Sequence, residues 1–241
     1  MIKNRLAILA LALLVLPRPA AAGTIQIGSA AALGANDFFD WGQVRALDGG
    51  GNAIAQPAPQ NVTSNLGRAA SVSDSGSFTG LVEGTDWFGN FTVGQNVLYS
   101  GDINDAAAAA NAFTVNFSTA VRGVGLQITS AAFLDFSASL EVFNGASSLG
   151  LFAVTGLMTG FEDGSAPFLG ASSDTANITR AVFTLTSNTD FGFGLNRLLT
   201  ADGIGAPAVD PGPSVPEPGT LSLLAIGAAG TLTRRRRGTA R

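Results

Sequence analysis

Between residues 112 and 199 apolar and polar side chains alternate with a period of two, and that alternation constrains the fold more than any other feature of these 241 residues. AFTVNF puts Phe113, Val115 and Phe117 on one face and Thr114, Asn116 and Ser118 on the other. VGLQITS directs Val124, Leu126 and Ile128 inward, FSASLEVF does the same with Phe136, Ala138, Leu140 and Val142, and AVFTLTS alternates around Phe183 and Leu185. Successive strand side chains point to opposite faces, so the pattern belongs to sheets with one buried and one wet face. Asn144-Gly145, Asp163-Gly164 and Gly49, Gly50 and Gly51 are turn formers. Short strands at this spacing predict an all-β fold, an antiparallel jelly-roll-like β-sandwich over residues 23–206. One short helix is expected inside it, in the alanine run at residues 105–112.

Charged residues make up 12% of the chain, about half the usual ~25%, while 46% is apolar. Disordered chains show the reverse balance, so this one folds. It has no cysteine and no histidine. Their absence removes disulfides, thiolate and imidazole metal sites, Ser-His-Asp and Cys-His nucleophiles and the histidine pH switch. Charge is unevenly placed: Lys3, Arg5 and Arg18 lie at the start, Arg234, Arg235, Arg236, Arg237 and Arg241 at the end. Residues 23–214 hold Arg45, Arg68, Arg122, Arg180 and Arg197 against sixteen acids, a net charge of −11 without a lysine. Such a surface repels phosphate backbones, which argues against nucleic acid, and is compatible with Ca²⁺ or neutral sugars.

Residues 1–22 run from Lys3 and Arg5 through an apolar stretch at 6–16 to Pro17 and Pro19, then the small residues Ala20 and Ala22 before Gly23. Charge, apolar run and small-residue site in that order form a signal peptide, expected to be helical and cut at Gly23 by signal peptidase. The apolar run is well short of the ~20 residues that span a bilayer. At the other end, residues 207–214 are a proline-rich linker. Residues 215–241 begin Val215, Pro216, Glu217, Pro218, continue through a short apolar helix-compatible segment at 221–232, and reach the run Arg234, Arg235, Arg236, Arg237. Positive charge after an apolar segment tends to stay cytoplasmic and would halt export there. Two prolines flanking one residue make a stiff, extended segment lacking two amide donors, suited to a protease cleft.

That order, spacing and terminal position resemble a PEP-CTERM sorting signal, over about the last 26 residues. The resemblance implies recognition by an exosortase, a membrane-embedded protease, with cleavage at or near Pro216, Glu217 and Pro218. It also implies a Gram-negative, exopolysaccharide-producing host, transient anchoring in the inner membrane, and a final place at the outer surface or in the extracellular matrix. Residues 112–199, with GVGLQI, ASLEVFNGASSLGLFAVTG, APFLGASSD, ITRAVFTLTS and FGFGLNRL in order, also resemble the body of many PEP-CTERM proteins. That likeness implies a sandwich similar in outline to carbohydrate-binding modules and discoidin-like lectins, and fold alone assigns no activity.

Within the domain, Asp37, Phe38, Phe39, Asp40 and Trp41 are either a sugar-stacking platform or core anchors beside a turn, and the second account is the simpler. Asp86, Trp87, Phe88 and Asn90 pose the same choice, so Trp41 and Trp87 are the candidate glycan-binding residues. Asp102, Asn104 and Asp105 offer oxygen ligands for Ca²⁺ but lack the later glycine and glutamate of an EF-hand, and an Asx turn explains them more simply. Glu162 and Asp163 are a weaker pair of the same kind. No cofactor is expected beyond a structural calcium ion. The leading expectation is a non-enzymatic surface or matrix protein associating with exopolysaccharide. Its alternatives are a carboxylate-dependent glycan hydrolase or lyase, which needs no histidine, and a purely structural matrix protein without a discrete ligand.

Overall fold

A computed structural model describes residues 23–74, 76–105 and 110–202. The signal segment with Ala20 and Ala22, the linker, and the tail with its motif and arginine run lie outside the described residues, as do residues 106–109 of the alanine run. Among the described residues no helix is long and apolar enough to cross a membrane.

Among the described residues seventeen strands follow in chain order. The first seven are β1 (Thr24–Ile27), β2 (Asp37–Phe39), β3 (Ala46–Leu47), β4 (Ala53–Ile54), β5 (Gln56–Pro57), β6 (Gln60–Thr63) and β7 (Ala69–Ser73). The next five are β8 (Ser77–Val82), β9 (Asn96–Ser100), β10 (Ala112–Val121), β11 (Gly123–Ser130) and β12 (Asp135–Asn144). The last are β13 (Ser147–Leu157), β14 (Phe168–Ser173), β15 (Ile178–Leu185), β16 (Phe193–Leu195) and β17 (Leu198–Ala201).

A six-stranded sheet runs β13-β12-β15-β10-β7-β6. A nine-stranded sheet runs β1-β14-β11-β16-β9-β8-β5, with β17 pairing β11 and β2 pairing β17; β3 and β4 form a separate hairpin. The named strands pair antiparallel, and from β10 to β16 the chain changes sheet at almost every step, as in a jelly roll. The expected sandwich is therefore present.

The core between the sheets follows the alternation. Phe113 and Val115 are fully buried and Asn116 and Ser118 exposed on β10, while Phe136, Ala138, Leu140 and Val142 are buried on β12. They meet Val124, Leu126 and Ile128 from the opposite sheet in one cluster that also holds Phe39, Trp41 and Phe78. Burying one such side chain contributes about 1.5–3 kcal/mol, so this layer dominates the stability. The turns behave as their residues suggest: Gly145, Gly164 and Gly51 take φ of 58°, 75° and 84°.

The nine-stranded sheet is covered on its outer face too, which a period-two pattern does not announce. The loop after β8 folds back so that Trp87 and Phe91 pack with Leu81, Val97 and Tyr99 in a second cluster. A third forms where the four-residue helix α1 (Ala30–Leu33) sets Leu33 beside Ile27 and Ala201. Glycines let this layer approach: a Cβ on Gly194 would meet the Trp87 ring at 2.9 Å, and one on Gly125 would meet Phe168 at 2.6 Å. In the alanine-rich region Ala112 already belongs to β10, and Asp105 bridges back to Asp102.

Candidate functional site

Between these two outer clusters lies a cleft of about 360 Å³, lined by Gly28, Ser29, Ala30, Gln95, Gln127, Ala166, Phe168, Asn196, Arg197 and Leu199. Its floor is a β-bulge. Ile128 pairs with Leu195 and Gly125 with Leu199, so Asn196, Arg197 and Leu198 face only Leu126 and Gln127. A bulge of this kind bends the strand and re-aims a side chain. Here it leaves Arg197 exposed while its neighbours Asn196 and Leu198 stay buried.

The floor is locked by hydrogen bonds. Asn196 Oδ1 accepts from the Gln127 amide N–H at 2.8 Å, and Asn196 Nδ2 donates to Gln127 Oε1 at 2.7 Å. Gln127 Nε2 donates to the Gly164 and Ala166 carbonyls at 2.9 and 2.8 Å. Beneath, Trp41 Nε1 donates to the Asn196 carbonyl at 2.6 Å. The Arg197 guanidinium lies 5.3 Å from the Phe38 ring centre. Arg45 and Arg68, by contrast, pair with Asp86 and Asp202.

The candidate sugar platforms are taken apart by burial. Trp41 is 0% and Trp87 5% exposed, so neither indole presents a face to a sugar, and the stacking assignment of both is corrected to core packing. Asp37 is buried and accepts from the Phe38 and Leu66 amides and the Ser64 hydroxyl. Asp40 caps the short 3-10 turn Trp41–Val44 by accepting from the Gly42 amide at 2.8 Å. Of the second group only Phe88 is exposed; Asn90 is buried, and its amide reaches the Leu157 carbonyl, Thr159 Oγ1 and Ser165 Oγ, tying the folded-back loop to residues 157–165.

Asp102 Oδ1 accepts from the Asn104 amide at 2.9 Å, an Asx turn, and the Asn104 side chain donates away to the Ala53 carbonyl. Asp163 Oδ1 likewise accepts from the Ser165 amide. No cluster of three or more acidic, histidine or cysteine side chains suited to a metal occurs among the described residues.

Glu83 is the carboxyl that no sequence motif signalled. It is fully buried, Oε1 accepts from the Gly89 amide at 2.7 Å, and Oε2 has no partner. Burial first, then the Glu162 charge, pushes it up to about 7. Its place just before a Gly-Thr-Asp turn was visible; its burial depends on the loop folding back, which was not.

The ends of the described chain share one end of the sandwich. Thr24 pairs with Ser173, and Gly123 pairs with both Ser172 and Ala201. At the opposite end, where β11 finishes and β12 begins, Phe133, Phe161 and Phe191 are 66%, 68% and 49% exposed. Their loops are stitched together: the Gly192 carbonyl accepts from Ala131 N, the Leu134 carbonyl from Met158 N, and the Phe133 ring lies over Gly160.

Fold and site together define an antiparallel β-sandwich with an outer-face cleft and no exposed tryptophan among its described residues. Residues 214–237 match the PEP-CTERM protein-sorting motif. The chain carries that signal and is an exported protein, sorted to the cell envelope by an exosortase. No curated protein matches it in sequence.

Proposed function

We propose that this is a non-enzymatic surface or matrix protein that associates with exopolysaccharide through its β-sandwich. The observation that carries the proposal is the polarity of the domain. Thr24 and Ala201 lie at one end of the sandwich, while exposed Phe133, Phe161 and Phe191 crowd the other. Aromatic faces suit the C–H faces of pyranose rings, and with 16 acids against five arginines in residues 23–214 the protein has little attraction for nucleic acid or an anionic bilayer.

A non-enzymatic role is supported by Glu83. Its raised carboxyl would suit a general acid, yet it is sealed from solvent and held by the Gly89 amide, outside the residues lining the cleft. The test is co-sedimentation of the secreted protein with exopolysaccharide from its host, with and without Ca²⁺, while reducing sugar is followed. Retention without sugar release is expected. Release of reducing ends would replace the proposal with a hydrolase, and self-association without glycan would replace it with a structural matrix role.

A further inference from the structure

We infer that the outer-face cleft binds a carboxylate-bearing sugar, a uronate unit of a polysaccharide, with Arg197 holding its carboxylate. The inference rests on the glycan-associating role for the sugar and on the cleft alone for the charge.

None of the ten lining residues is acidic, although the domain around them carries a net charge of −11. Arg197 is the one charged side chain among those lining residues. No carboxylate pairs with that guanidinium among the described residues, and its nearest ring, Phe38, uses none of its N–H groups. A planar guanidinium left free in this way matches a carboxylate through two parallel hydrogen bonds.

The remaining hydrogen-bonding groups favour an acceptor as well. Gln127 Oε1, Asn196 Oδ1 and Gln95 Oε1 already accept from Asn196, Gln127 and Thr92. Ser29 Oγ accepts from the Ala32 amide. Donors without a partner among the described residues remain: the Ser29 hydroxyl proton, Gln95 Nε2 and the guanidinium. Half-buried Phe168 and Leu199 supply apolar wall for the C–H face of a ring. The volume lies within the ~300–1,000 Å³ usual for small-ligand sites. With its floor fixed by the Trp41, Asn196 and Gln127 bonds, the cleft is shaped before any ligand arrives.

The experiment is calorimetric titration of the secreted protein with a short oligoglucuronate, the matching neutral oligoglucoside, and inorganic sulfate. We expect the oligoglucuronate to bind roughly tenfold or more tightly than the glucoside, and Arg197→Ala to lose that margin while Arg197→Lys keeps part of it. Exposed Arg197 should leave the thermal midpoint unchanged when replaced, so a lost margin reports binding. Equal binding of acidic and neutral sugars, sulfate binding as tightly as the uronate, or an unaffected Arg197→Ala protein would overturn the inference. Retention on host polysaccharide with no uronate binding would end this inference and leave the proposed function standing; failure of both would end both.

Discussion

The Trp41 indole donates its Nε1 proton to the backbone carbonyl of Asn196 across 2.6 Å, joining residues 155 positions apart in the buried layer. The bond fixes the carbonyl at the bulge that turns Arg197 outward, so a core side chain sets the geometry of a surface cleft. Trp41 is itself held edge-on against Phe113, with ring centres 5.7 Å apart. Packing between the sheets and shape on their outside are thus one structural unit.

Replacing Trp41 with Phe keeps a ring in the core and removes the donor. The stranded Asn196 carbonyl costs about 1–3 kcal/mol, to which the smaller ring adds a packing loss. Urea unfolding followed at matched protein concentration should show an earlier midpoint with an unchanged slope. A midpoint equal to that of the parent would mean the bond contributes nothing.

Glu83 makes stability depend on pH in an unusual direction. Its folded pKa of about 7 lies above its ordinary value of 4.5, so between those two the folded state holds more protons than the unfolded one. Its stabilising contribution is full below pH 4.5 and is lost as pH rises through 7, a cost of roughly 3 kcal/mol above that. Glu83→Gln stays neutral and can still accept from Gly89. It should raise the thermal midpoint at pH 8 by several degrees and change it little at pH 4. An equal shift at both pH values would show that ionisation of Glu83 is not the cause.

At Gly80 the constraint is backbone against backbone. A Cβ there would sit 2.7 Å from Arg45 Cα and 2.8 Å from Arg45 N, contacts that no side-chain rotation relieves. Gly80→Ala should destabilise the domain by about 1–3 kcal/mol. Gly28→Ala, with nothing within 4 Å of its added Cβ, should change it by less than about 0.5 kcal/mol. If the two substitutions have equal effects on chemical unfolding, the close approach of β8 to Arg45 is wrong.

The sandwich was legible because Phe113, Val115, Phe136, Leu140 and Phe183 obey a rule that depends only on local geometry. The glycine turns were legible for the same reason. The outer layer was not: β11 reads as a one-face strand, yet Phe168 and α1 cover its other face through contacts far apart in sequence. The short helix at Ala30–Leu33 and the 3-10 turn at Trp41–Val44 span a single turn each, too few residues for a period to show. Trp41 and Trp87 could be assigned to core or surface only once their partners were known. The cleft escaped notice because it depends on one extra residue in β16–β17, and no residue type marks a bulge. The sorting motif was fully legible, being a contiguous linear signal.

Processing of that motif is the central claim, and the intact mass of the protein recovered from its native host, with both termini mapped, tests it most directly. The account predicts a chain beginning near Gly23 and ending between Val215 and Pro218, with Pro216→Ala/Pro218→Ala double replacement restoring the full tail. A native product that still carries Arg234, Arg235, Arg236 and Arg237 would contradict exosortase processing of this chain.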